Sequence, residues 1–172
     1  MSRPSRPSRW GSPALVAALL ALVAPTLACF DPVHDDAVAA LGDEAPGVHR
    51  GPNHRPGQPC LVCHGGDGPG PDFEMAGTVY ETRAGTAAAA GVTVRLTDAK
   101  GSATQVSTNS VGNFYIEGSR WSPTYPVRVE LAGGGKTQKM ETRIGRQTSC
   151  ASCHEKQGST TIAPVVYMSE GP

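Results

Sequence analysis

Apolar and polar positions fall into three regimes along the chain. Residues 14–24, Ala14-Leu15-Val16-Ala17-Ala18-Leu19-Leu20-Ala21-Leu22-Val23-Ala24, are apolar without a break. Eleven residues are too few to cross about 30 Å of hydrocarbon as a helix. With Arg3, Arg6 and Arg9 before it and no acid, the run has the length and flanks of an export-signal core. Residues 30–59 show little periodicity beyond a short apolar patch at 37–41, enough for one or two helical turns. From Ala76 onward short alternating segments are separated by turn residues. Strands are predicted over 77–82, 92–97, 104–108, 114–117, 127–131, 137–144 and 161–167. The cleanest is the second, with Val92, Val94 and Leu96 on one face. Seven short strands with Gly- and Asp-rich turns between them predict an all-β sandwich.

Composition agrees with that reading. Gly (21) and Pro (15) are abundant and aromatics make up only 5% of the 172 residues, which suits a turn-rich β domain better than a helical bundle. The whole chain has 15 basic and 15 acidic residues; without residues 1–28 it has 12 against 15, a net charge of −3. No basic stripe points to nucleic acid. P-loops, Rossmann fingerprints and Ser-His-Asp arrangements are absent.

Five cysteines require two explanations. Cys29 follows Thr26-Leu27-Ala28, an ending that resembles a bacterial lipobox with Thr in place of the usual branched aliphatic residue. The resemblance implies cleavage after Ala28 and acylation of Cys29, hence a membrane anchor on the periplasmic side of the cell envelope. Ordinary cleavage with a leftover thiol is the alternative. The other four form two identical patterns, Cys60-Leu61-Val62-Cys63-His64 and Cys150-Ala151-Ser152-Cys153-His154.

Two thiols separated by two residues can add to both vinyl groups of one haem, and the following His then lies beneath the iron. The patterns therefore predict two covalent haems c, held by Cys60, Cys63, Cys150 and Cys153, with His64 and His154 as proximal ligands. Two other readings stay open: a disulfide within each pair, and a four-thiol zinc site that leaves the two His unexplained. Three further His exist, His34, His49 and His54, all ahead of the first pattern. They are the candidate distal ligands, His54 and His49 before His34, with Met75 in reserve. The chain then divides into a signal at 1–28, a flexible His-bearing lead at 29–59, the first motif and a Gly-rich connector at 60–74, and a sandwich at 75–168.

Residues Ala76-Gly77-Thr78-Val79, Gly91-Val92-Thr93-Val94-Arg95-Leu96 and Thr108-Asn109-Ser110-Val111-Gly112-Asn113-Phe114-Tyr115 together resemble the carboxypeptidase regulatory-like domains. The resemblance covers residues 75–168. It implies a transthyretin-like seven-strand sandwich and no shared active site. The paired His-terminated motifs resemble those of small multihaem cytochromes, which implies electron transfer with other cytochromes or quinol-linked membrane donors as partners. A haem peroxidase or small reductase, and a haem-free envelope binding module, are the competing expectations. Alternating strand directions carry one more: the start of the first strand and the end of the sixth share one end of the sandwich, so both motifs meet there.

Overall fold

The structure is a computed structural model that describes residues 31–44, 46–66, 68, 70–155 and 163–171. Cys29, the expected signal and residues 161–162 of the last expected strand lie outside the described residues. The chain divides into two compact units, residues 1–37 and 38–172.

Helix α1, Pro32–Ala40, is longer than the apolar patch suggests. Asp31 explains its start: Oδ1 accepts the N–H groups of Val33 and His34, both at 3.1 Å. Pro32 at the first helical position gives up no hydrogen bond. A second helix, α2, is the single turn Leu61–His64.

The rest is mostly β, as expected. Strands β1 (Phe73–Thr82), β2 (Thr93–Thr97), β3 (Ala103–Ser107), β4 (Asn113–Glu117), β5 (Arg128–Gly133) and β6 (Lys136–Lys139) follow one another, then a 3-10 turn at Cys150–Ser152. Two short strands, β7 (His154–Glu155) and β8 (Ala163–Pro164), pair in parallel. Strand β9, Val166–Ser169, closes the chain. One sheet has the order β4-β1-β9 and the other β3-β2-β5-β6. Strand β1 starts earlier than its alternation suggests, because the register with β4 shifts between Phe73 and Met75 and obscures the period. Strand β6 stops earlier than expected; Ile144 joins the sheet only through an isolated bridge to Val127.

One core lies between the sheets. Met75, Val79, Val94, Leu96 and Val127 are fully buried in it, with Phe114, Ile116 and Met168 around them. Alternation places them: on β2, Val94 and Leu96 point inward while Arg95 between them is exposed. Trp121 belongs to this core, and its Nε1–H donates to Ser102 Oγ at 3.3 Å.

Asp98 fastens the turn after β2. Its Oδ1 accepts the N–H groups of Lys100 and Ser102, and its Oδ2 accepts that of Thr124, at 2.8–2.9 Å. These donors favour the carboxylate and hold its pKa below the usual value, the Thr124 N–H most of all. A depressed folded pKa contributes stability that is present above the unfolded pKa, about 3.9, and is lost as pH falls through the folded one. The urea midpoint should therefore drop between pH 6 and pH 3, and Asp98→Asn should start lower at pH 6 and drop less. An equal drop in both proteins would remove Asp98 from the account.

Candidate functional site

The first Cys-x-x-Cys-His pattern is a turn of helix. Cys63 and His64 N–H groups both reach the Cys60 carbonyl, at 3.2 and 3.0 Å. Residues three and four apart share a helix face, so Cys60, Cys63 and His64 present their side chains together. The glycine-rich stretch that follows, read as a connector, wraps back around His64. Gly70 N–H donates to the Cys63 carbonyl at 2.9 Å, and His64 Nδ1 is 2.8 Å from the Pro71 carbonyl. A Cβ at Gly70 would stand 2.3 Å from His64 Nδ1, so only glycine admits the ring here.

A carbonyl oxygen only accepts, so His64 Nδ1 carries the proton and, in the neutral ring, Nε2 keeps a free lone pair. His154 repeats the arrangement: its Nδ1 donates to the Pro164 carbonyl at 2.6 Å. His54 does so as well, through the Gly51 carbonyl. Metal-binding imidazoles are commonly fixed in this way, with the second nitrogen anchored to a backbone carbonyl.

The lead from Leu41 to Gln58 is tied down beside this turn. The Arg55 guanidinium donates to the carbonyls of Leu41 and Gly42 and to Gln58 Oε1, at 2.7–3.2 Å. His54 comes to rest with its ring centroid 5.7 Å from that of His64, the planes tilted by 45°. His64 stacks on Phe73 at 4.3 Å and 11°, and Phe73 on Tyr115 at 4.5 Å and 15°. Beside them is a cavity of about 640 Å³, whose lining includes Cys60, Cys63, His54 and His64 with the apolar Leu41 and Phe114. Cofactor cavities commonly measure about 300–1,000 Å³.

The second motif reaches the same strand. Ala76 N–H donates to the Thr148 carbonyl at 3.2 Å and Ala76 bridges in parallel to Ser149, which places Cys150 against Gly77. The 3-10 turn sets Cys150 and Cys153 on one side, three residues apart. Two thiols of different motifs lie near one another: burial first, then the neighbouring Cys60, push the Cys150 thiol up to about 12. Burial also raises that of Cys60. Cys60, Cys63, Cys150 and Cys153 are all free thiols. Among the described residues no three or more His, Cys, Asp or Glu side chains are grouped to hold one metal ion.

The remaining candidates fall elsewhere. His49 is exposed and outside the lining of the cavity. His34 lies on α1, in the separate 1–37 unit. Met75 is fully buried in the sandwich core, where its thioether is packed away from the cavity, so it does not serve as the reserve ligand. Sequence reasoning missed Phe73 and Tyr115, whose stacking depends on the β1–β4 register, and the two proline carbonyls. A Pro seven to ten residues beyond each motif was the one signal available for the latter. Comparison with protein-family models, with curated proteins and with solved structures finds no match to this chain.

A thiolate forms only above its pKa, so Cys150 stays protonated at about pH 8 while the exposed Cys153 is open to reagents. In the cofactor-free chain, iodoacetamide at that pH should alkylate Cys153 first and Cys150 last, as read by peptide mass. The gap should narrow as the pH is raised. Equal rates at pH 8 would contradict the packing of Cys150 against Gly77.

Proposed function

We propose that this chain is an exported dihaem c-type cytochrome that transfers electrons in the cell envelope, built on a sandwich of the carboxypeptidase regulatory-like type. The observation that carries the reading is the state of the two motif histidines: each gives its Nδ1–H to a proline carbonyl and keeps Nε2 free beside a pair of free thiols.

The donor set at the first motif fits the group. Cys60 and Cys63 stand three residues apart on a helical turn, and an apolar-lined cavity of about 640 Å³ adjoins them. His64 would be the proximal ligand and His54 the distal one. Their ring centroids lie 5.7 Å apart, which puts both imidazoles beside the thiol pair that would hold the group. At the second motif Cys150, Cys153 and His154 would hold the other haem. Ser149, buried beside Cys150, has a hydroxyl without a partner among the described residues and so retains a hydrogen bond to offer a bound group.

When bound, haem supplies a one-electron redox centre. The chain's part is to hold, orient and shield. At the first motif, ligation by His on both faces would leave no position for substrate and favour lower potentials than Met/His ligation, which suits a relay better than an enzyme. The placement of Cys150 near Cys60 would set the two centres side by side. The partners would be other envelope cytochromes or quinol-linked donors, reached from a lipid anchor at Cys29. No helix among the described residues is long and apolar enough to cross a membrane; one acyl chain holds only marginally, while several anchor stably.

Protein matured in a host that attaches haem c should retain its colour after denaturation and acid extraction. Replacing both Cys60 and Cys63 with Ser should halve the haem content, measured as the pyridine adduct, rather than abolish it. A colourless wild type carrying stoichiometric zinc would end this reading. For the anchor, labelled fatty acid should enter the wild type and be lost in Cys29→Ser; equal labelling of the two would refute it.

A further inference from the structure

We propose that Thr78 and Asn113 are positioning residues that set the place of His54, and that the β1–β4 strand pair thereby fixes the separation of the two imidazoles. The proposal rests on the reading of His54 as an axial ligand.

His54 lies in a segment, residues 51–58, with no helix or strand to hold it. Its backbone is instead bracketed by two side chains of the sheet. Asn113 Nδ2 donates to the carbonyls of Pro52 and His54, at 3.2 and 3.0 Å. Asn113 Oδ1 accepts the Thr78 hydroxyl at 2.7 Å, and Thr78 Oγ1 in turn accepts the Gly57 N–H at 2.7 Å. The segment is thus grasped on both sides of Arg55. Asn109 Nδ2 adds a third hold on the Pro52 carbonyl at 2.6 Å.

The orientation of the Asn113 amide follows from these partners. Two carbonyls on one side require its NH2 group, and the hydroxyl on the other side meets its oxygen. Thr78 is buried and directly opposite Asn113 in the β1–β4 register, so neither group is free to move alone. His64 is referenced to the same two strands, by stacking on Phe73 of β1, which stacks on Tyr115 of β4. One strand pair therefore carries both rings, one through hydrogen bonds to a backbone and the other through aromatic faces. A ligand on an irregular segment is held to a fraction of an ångström only by such supporting contacts.

The test uses the full chain with both haems attached. Thr78→Val keeps the shape but leaves the Gly57 N–H and Asn113 Oδ1 unpaired. Asn113→Asp keeps the shape but replaces a donor by an acceptor facing two carbonyls. Each should turn one of the two haems from low-spin to high-spin in the oxidised electron paramagnetic resonance spectrum. Carbon monoxide should then bind that one haem in the reduced protein. Covalent haem count and the other haem's signal should stay as in the wild type, which shows that the fold is intact. Thr78→Ser restores the hydroxyl and should restore the wild-type spectrum, an outcome that a general loosening of the sheet would not give.

His54→Ala separates the two levels of the account. If it opens one haem while Thr78→Val and Asn113→Asp leave both haem signals as in the wild type, the positioning role is overturned and the ligand assignment stands. If His54→Ala itself changes nothing, the ligand assignment fails and the positioning role fails with it. Should one of the two isosteric variants not mature, the other carries the same comparison.

Discussion

Strand β1 has two edges, and the hydrogen bonds along them decide where the chemistry of this protein is assembled. On one edge it pairs with β4 over Phe73 to Thr78. On the other it pairs with β9 from Val79 onward, and ahead of that the Ala76 N–H takes the Thr148 carbonyl. A buried backbone donor left unpaired is costly, so the segment before Cys150 completes β1 rather than extending into solvent. That contact brings a motif 90 residues later in the chain against the strand whose start supports the first. Cys150 is thereby set against the same strand that carries Phe73, on which His64 stacks.

The same economy of backbone groups prepares the histidines. Pro71 and Pro164 offer carbonyls, and a carbonyl can only accept, so the tautomer of each motif imidazole follows from its neighbour. Gly70 comes against the His64 ring and Gly68 against the Cys63 carbonyl, where bulkier residues would push the chain away. What reads in the sequence as a spacer is the outer wall of the imidazole's seat. The lead is comparable: Arg55, with bonds to Leu41, Gly42 and Gln58, folds a Pro- and Gly-rich stretch onto itself without helix or strand.

The elements that local chemistry determines were legible in the sequence. Val92, Val94 and Leu96 alternate strictly and form the inward face of the second strand and the approach to it, as expected. The Cys-x-x-Cys-His patterns are local too, since three- and four-residue spacing suffices to set thiols and imidazole on one side of a turn. The first turn of α1 escaped notice because it is polar, although Asp31 before Pro32 was a usable start signal. The start of β1 was hidden by a register shift that breaks the alternation at Phe73 to Met75. Met75 at the edge of a strand looked available as a ligand, and only the packing of two sheets shows that it faces the core. Choosing His54 over His49 needed contacts 35 to 59 residues apart, from Thr78 to Asn113 and from Asn113 to His54, which no periodicity encodes.

On the proposed reading each motif carries its own covalent haem. Peptide mass spectrometry of protein matured in a competent host tests it most directly. The fragment containing Cys60 and Cys63 and the fragment containing Cys150 and Cys153 should each be heavier by the mass of one haem. Unmodified fragments, or fragments lighter by two hydrogens through a disulfide within each pair, would contradict the account.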